Sequence, residues 1–126
     1  MRDTFLTFKL QAEDMPLADQ CIDIAVSVCV LCSVRDAGVT LKEIRRVLKP
    51  GGRLFFWEHV CSETDSGLAS NQKEASTEEE VRWGCRYDRK TLRTIRKAGF
   101  SQVHGSYFEI PDLGLMASTV LGSAVN

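Results

Sequence analysis

No Gly-x-Gly of any kind occurs in this chain. Its nine glycines are scattered, and the only adjacent pair, Gly51-Gly52, follows Pro50. A turn that lets backbone close on a bound ligand needs residues without a Cβ, and no run of them is present. Neither sign of charge dominates. With 16 basic and 17 acidic residues the net charge is −1, so no field favours nucleic acid or an anionic membrane. Lysines and arginines cluster at 42–53 and 86–97, but their helical spacing beside acidic residues reads as solvated faces. There is no long apolar run either. Cys21–Val34 is too short to cross a bilayer and carries Asp23, which leaves a buried strand and its loop. Met1–Leu10 lacks a basic start, a long apolar core and a small-residue cleavage site, so it is not a signal peptide. Internal repeats and signs of a second domain are absent. Five cysteines, an odd number, do not form a secreted disulfide framework. Cys29-Val-Leu-Cys32 has redox-motif spacing, yet no obvious helix start follows it. No second pair or nearby histidine completes a zinc site in the sequence, so buried structural thiols and no metal are expected.

What is present is concentrated in residues 41–59, LKEIRRVLKPGGRLFFWEH. Leu41, Ile44, Val47 and Leu48 form one apolar stripe on a 3.6-residue period, which predicts a helix over Thr40–Leu48. Pro50 and the glycine pair end it, since proline disfavours helix in the preceding residue and glycine accepts positive φ. Arg53–Trp57 is an apolar, aromatic run expected to be a central parallel strand covered on both faces. Glu58 and His59 sit just past its carboxyl end, where open α/β sheets place their ligand sites.

Along the rest of the chain, Thr4–Leu10 reads as a short strand leading into a polar turn, Gln11–Gln20. Ile22–Val28 reads as a strand buried on both faces. Leu31–Gly38 reads as a loop or the beginning of a helix, with Thr40–Leu48 as the clear helix. Ser62–Glu80 is rich in Ser, Thr, Glu and Lys without a core pattern, so it reads as a mobile segment or exposed helix. Asp88 is the expected N-cap of a helix over Arg89–Ala98, with Leu92 and Ile95 facing inward and Gly99 as its stop. Ser101–Ile110 and Ser118–Val125 are expected to close the sheet as an antiparallel pair.

Residues 12–60, AEDMPLADQCIDIAVSVCVLCSVRDAGVTLKEIRRVLKPGGRLFFWEHV, resemble the class I S-adenosylmethionine-dependent methyltransferases of the methyltransferase type 11 domain. The shared features are an acidic pair before Met-Pro, an Asp opening a buried strand, and a helix ending Arg-Val-Leu-Lys-Pro-Gly-Gly. Leu31-Cys32-Ser33-Val34, Phe56–Val60, Gly84-Cys85 and the ending Gly122–Asn126 are similar to the methyltransferase-like proteins that S-methylate small alkyl thiols. The resemblance implies an α/β fold with a Rossmann-like sheet ordered 3-2-1-4-5-7-6. The family's glycine-rich β-α-β unit, with its acidic residue for the ribose, is missing. Residues 1–126 therefore read as a single, N-terminally truncated methyltransferase domain holding strands 3 to 7 of seven. Without strands 1 and 2, the strand at 22–28 has an open edge, an aggregation hazard.

The same resemblance implies S-adenosylmethionine as cofactor and a small-molecule acceptor as substrate. Glu13 and Asp14 match the carboxylates that accept the adenine amino group, Asp14 best, with Met15 against the ring. A solvated acidic turn is the plain alternative. Ser27, Val28 and Cys29 lie where the family lines the sugar and methionine portion of the cofactor. Asp23 is structural in relatives, and Cys32 is read as a packed thiol or part of an acceptor pocket. Glu58 and His59 are the catalytic candidates, because an alkyl thiol must lose its proton and a histidine near its ordinary pKa of about 6.5 accepts one. His59 as a mere loop anchor is the alternative. Trp57 is expected to pack in its strand and His104 to be structural. Two functions follow: methyl transfer to a small acceptor such as an alkyl thiol, or a non-catalytic truncated relative unable to hold cofactor alone. A nicotinamide-dependent enzyme is disfavoured because Lys-Pro-Gly-Gly and Glu-Asp-Met-Pro suit methyltransferases better. The expected location is intracellular, with membrane or lipid-droplet association implied only through relatives that carry an N-terminal anchor.

Overall fold

The computed structural model describes residues 4–77 and 84–126. Its centre is a four-stranded mixed sheet. Strand β1 (Ile22–Val28) pairs in parallel with β2 (Leu48–His59), β2 pairs antiparallel with β4 (Ser118–Val125), and β4 pairs antiparallel with β3 (Gln102–Glu109). The order is β1-β2-β4-β3. Helix α1 (Ala37–Val47) joins the two parallel strands. Helices α2 (Ser66–Ser76) and α3 (Thr91–Lys97) follow β2, and a single 3₁₀ turn, Gly114–Met116, lies between β3 and β4.

Helix α1 begins earlier than its apolar stripe suggests. Asp36 caps it, accepting the Val39 N–H at 3.0 Å, the bond expected of an Asp whose own backbone is still extended. Its buried residues are Thr40, Leu41, Ile44 and Val47, as the periodicity predicts. After Val47 the chain enters β2 through the Pro50 turn. Partners shift from Ile22↔Leu48 to Ile24↔Arg53, so Lys49 to Gly52 bulge out of the ladder. Gly51 takes φ 77° there, a conformation that penalises any Cβ.

The core lies on one side of the sheet. Leu54 and Phe56 of β2 and Val120 and Ala124 of β4 pack against Leu41 and Ile44 of α1 and Leu92 and Ile95 of α3. Burying each such side chain contributes about 1.5–3 kcal/mol. The close approach of α3 to the sheet depends on Gly105, where a Cβ would lie 2.6 Å from Leu92 Cδ1, and its partner Gly122 lets neighbouring strands pack tightly. A Cβ on Gly122 would collide with the His104 carbonyl oxygen and lie 2.6 Å from Phe56 Cζ.

The other face corrects an expectation. Neither parallel strand is covered on both sides. Burial alternates along the straight part of β2, and Ile24, Val26, Phe55, Trp57 and Leu121 are all at least 40% exposed. Val26, Phe55, Trp57 and Leu121, with Val28 and Ser106, edge a shallow apolar groove of ≈ 440 Å³. Thr4–Leu10 forms no strand: Phe5 is 88% and Leu6 75% exposed. A strand gains its backbone bonds from a neighbour, and no described strand pairs with this segment.

Two further expectations change, and a third is narrowed to one of its alternatives. Asp88 does not cap α3, whose N-cap position is Lys90 without a side-chain bond; Gly99 does end it, at φ 94°. In the 62–80 segment the helix alternative holds, as the mostly exposed α2 (Ser66–Ser76) anchored by buried Gln72 and Ser76, while residues 78–80 of that expectation lie outside the described residues. Gln72 is fully buried. Its amide accepts from Ser62 N–H at 2.8 Å and donates to the Val60 and Leu115 carbonyls at 3.0 Å. The basic clusters are also partly structural. Arg45 donates to Asn126 Oδ1 and the Ala98 carbonyl, and Arg89 to the carbonyls of Leu31 and Val34.

Candidate functional site

The carboxyl ends of β1 and β2 carry the densest chemistry in the molecule. Alternation along β2 turns Leu54, Phe56 and Glu58 into the core, so Glu58 is fully buried. One of its oxygens accepts from Ser27 Oγ at 2.6 Å and from Val30 N–H at 3.3 Å, and the other from Cys32 N–H at 3.2 Å. Glu58 thus fastens the loop after β1 to the end of β2. Within that loop Cys29 adopts φ 54°, unusual for a residue with a side chain, and its N–H bonds the Trp57 carbonyl at 2.8 Å. The Glu58 contacts hold this turn.

His59, the next residue, points away from that core. Its Nε2 lies 3.9 Å from Cys29 Sγ and its Nδ1 3.6 Å from Cys85 Sγ. Burial lowers its pKa below 6.5, with the Glu58 charge opposing, so the ring is neutral at pH 7. Cys32 and Cys85 are both buried beside Tyr87. The Cys85 thiol donates toward Cys32 and holds it down at about 7, and that bond, with desolvation, pushes Cys85 well up. Desolvation likewise raises Cys29. Cys32, His59 and Cys85 each bring one donor atom within 4.8 Å of the others. The expectation that no histidine stands near the cysteines is therefore corrected. Spacing along the chain could not show this, because Arg86 N–H bonding the Cys32 carbonyl at 2.8 Å brings in Cys85 from a distant segment.

The adenine candidates occupy a different place. Glu13 accepts the Asp36 N–H at 3.2 Å, and that bond is the main cause of its lowered pKa. Asp14 is exposed, and its backbone makes an isolated bridge to Gln11. Met15 N–H bonds Glu43 Oε2 at 2.9 Å while its side chain packs on the core. A polar groove of ≈ 400 Å³ runs past Glu13, Arg35 and Asp36. Beside it an apolar cavity of ≈ 280 Å³ is lined by Met15, Ala25, Val26, Ser27 and Val30 among others. Met15 and Ser27 therefore share one cavity, whereas Cys29, Glu58 and His59 gather with Cys32 and Cys85. Val28 is half exposed, and His104 lies on the open face of the sheet.

Residues 3–56 match the family described as methyltransferase domain. The chain carries part of such a methyltransferase domain. It is 44% identical over 88 residues to the thiol S-methyltransferase TMT1B of Rattus norvegicus, covering 69% of this chain and 36% of that protein. To the thiol S-methyltransferase TMT1A of Homo sapiens it is 31% identical over 96 residues, covering 75% and 39%. This chain thus spans little more than a third of those relatives. Among solved structures, an S-adenosylmethionine-dependent methyltransferase of Thermotoga maritima, described as a possible histamine N-methyltransferase, superposes with TM-score 0.62 at 26% identity, over 90% of this chain and 60% of that one. A methyltransferase from Methanosarcina mazei superposes with TM-score 0.70 at 20% identity, over 91% and 64%, which speaks for the fold alone. Among the described residues no helix is long and apolar enough to cross a membrane.

Proposed function

We propose that this chain serves S-adenosylmethionine-dependent methyl transfer to a small thiol, with the ends of β1 and β2 as the acceptor side. In this reading its four strands correspond to strands 4, 5, 7 and 6 of the family sheet. The open edge of β1 is then where strand 1 belongs. The observation that carries the proposal is the placement of a neutral, half-buried His59 among thiol groups at the strand ends, fixed by Glu58 one residue before it.

The residues near Met15 suit the cofactor's chemistry. The carboxylates of Glu13 and Asp14 accept N–H groups such as an adenine amine, and the cavity lined by Met15, Ala25 and Val30 takes an apolar ring edge. The bound cofactor supplies a sulfonium methyl group. His59 takes the proton from the acceptor thiol at a ring nitrogen, since the thiolate is the nucleophile and the ring is neutral at pH 7. Glu58 acts as a positioning residue, because all its contacts run to Ser27 and the loop after β1. Ser27, in the cavity with Met15, and Cys29, beside His59, would stand between cofactor and acceptor, where in-line placement supplies much of the rate, while Val28 faces the open side of the sheet.

The test is methyl transfer itself. The chain is incubated with S-adenosylmethionine and a small alkyl thiol, and the methyl thioether and S-adenosylhomocysteine are quantified by mass spectrometry. Equal amounts of both products, lost in His59→Ala with the fold retained, are expected. No product from the folded chain would leave the second reading, a non-catalytic relative, which the absence of any Gly-x-Gly favours.

A further inference from the structure

Cys32, His59 and Cys85 come from the loop after β1, the end of β2 and the segment before α3, and their donor atoms lie within 4.8 Å of one another. In a tetrahedral zinc site, bonds of about 2.3 Å to sulfur and about 2.0–2.1 Å to nitrogen place sulfurs about 3.8 Å apart and sulfur and nitrogen about 3.6 Å apart. The Cys85 Sγ to His59 Nδ1 distance is 3.6 Å. The two Cys32 distances, bounded at 4.8 Å, close by at most about 1 Å when a cation is loaded. The surroundings are also those of a ligand set. Cys29 Sγ lies 3.9 Å from the other ring nitrogen, so an Nε2–H directed at this sulfur leaves the Nδ1 lone pair facing the cluster. A partner on the second nitrogen is the usual device for orienting a metal-binding histidine. The Cys32 backbone is fixed by Glu58 and by its carbonyl bond to Arg86 N–H.

We propose that Cys32, His59 and Cys85 form a three-ligand site for a soft divalent cation such as zinc, with its fourth position open to an exogenous thiol. Two thiolates and a neutral imidazole balance the charge of such a cation, which suits a site with two buried ligands. The cation site stands on this geometry alone. The thiol as fourth ligand rests on the function proposed above. With the cation bound, His59 is a ligand, and acidifying the thiol passes from its ring to the metal: the S–H bond breaks as the sulfur coordinates, and the proton leaves to solvent buffer.

The experiment is titration of the reduced, metal-free chain with Co²⁺ alone, followed by absorption. One saturable equivalent with thiolate-to-cobalt charge transfer and tetrahedral d–d bands is expected. Cys32→Ser and Cys85→Ser lose the charge-transfer intensity or bind at least about tenfold more weakly, while their far-ultraviolet circular dichroism matches the parent. Cys29→Ser keeps the bands and weakens binding by about tenfold, as for other second partners of a ligating histidine. A small alkyl thiol added to the loaded protein changes the d–d bands without releasing the metal. Absence of a saturable thiolate band overturns the site, as does an unchanged band in the folded Cys85→Ser variant. Binding of Co²⁺ with no response to thiol would keep the cation site and remove the thiol from it, whatever the methyl-transfer assay gives.

Discussion

Replacing Glu58 gives the sharpest separation between a carboxylate that organises a loop and one that is merely buried. Glu58 is fully buried and accepts from the Ser27 hydroxyl and from the N–H groups of Val30 and Cys32. Glu58→Ala removes every one of these acceptors and leaves a cavity. A buried polar group left without a partner costs about 1–3 kcal/mol. Ser27 Oγ can rotate to another acceptor and the Val30 bond is long, so about 3–5 kcal/mol is expected. That is a large part of the about 5–15 kcal/mol that holds a domain together. Glu58→Gln keeps the shape and one acceptor oxygen for Ser27 and Val30, but turns an amide NH₂ toward Cys32 N–H. It loses one bond and gains relief from burying a charge, so it should cost about 1–2 kcal/mol. Urea denaturation of the three proteins followed by tryptophan fluorescence measures both values. If Glu58→Ala is no more destabilising than Glu58→Gln, the loop is not held by these bonds and the reasoning fails.

Gln72→Ala should lose about 2–4 kcal/mol by the same assay, because it strands Ser62 N–H and the Val60 carbonyl in the interior; a loss below about 1 kcal/mol would mean that α2 is held otherwise. Gly122→Ala should leave the chain insoluble or unfolded by circular dichroism, since its Cβ would collide with the His104 carbonyl oxygen; a folded variant of unchanged stability contradicts the close pairing of β3 and β4. The Arg46 guanidinium beside Glu43 holds that carboxyl at about 2, below its unfolded value of about 4.3. The stabilisation is therefore fully present above about pH 4.3 and is lost as pH falls toward 2. Glu43→Gln should flatten that part of the stability–pH curve, and an identical curve for the variant would show that the pair contributes nothing.

Where pattern and covalent constraint agree, the sequence is a good guide. The bounds of β1 and β4, the inward stripe of α1 and the stop at Gly99 follow from periodicity and from residues that permit few conformations. It misleads where a partner outside the segment decides. Thr4–Leu10 alternates like a strand yet pairs with none, and the apolar faces of β1 and β2 read as doubly buried although one side is open. Asp88 reads as a cap but makes no capping bond, whereas Asp36, inside a stretch that reads as a loop or the beginning of a helix, accepts the N–H of its own helix. In the candidate site, Glu58 and His59 are legible because they stand at the carboxyl end of a strand, which runs on to include them, whereas Cys85 is not. The turn at Arg86 that brings it to Cys32 has no counterpart in local pattern. Gln72 is invisible for a related reason. Its value lies in three backbone groups far along the chain, and a polar residue in a polar helix gives no signal of burial.

The central claim, that this polypeptide serves as a methyltransferase, is tested most directly by calorimetric titration of residues 1–126 with S-adenosylhomocysteine, once circular dichroism shows the chain folded. Saturable binding with a dissociation constant on the order of micromolar, about −8 kcal/mol, weakened by Asp14→Ala, is the predicted result. No heat of binding from the folded chain would contradict the account.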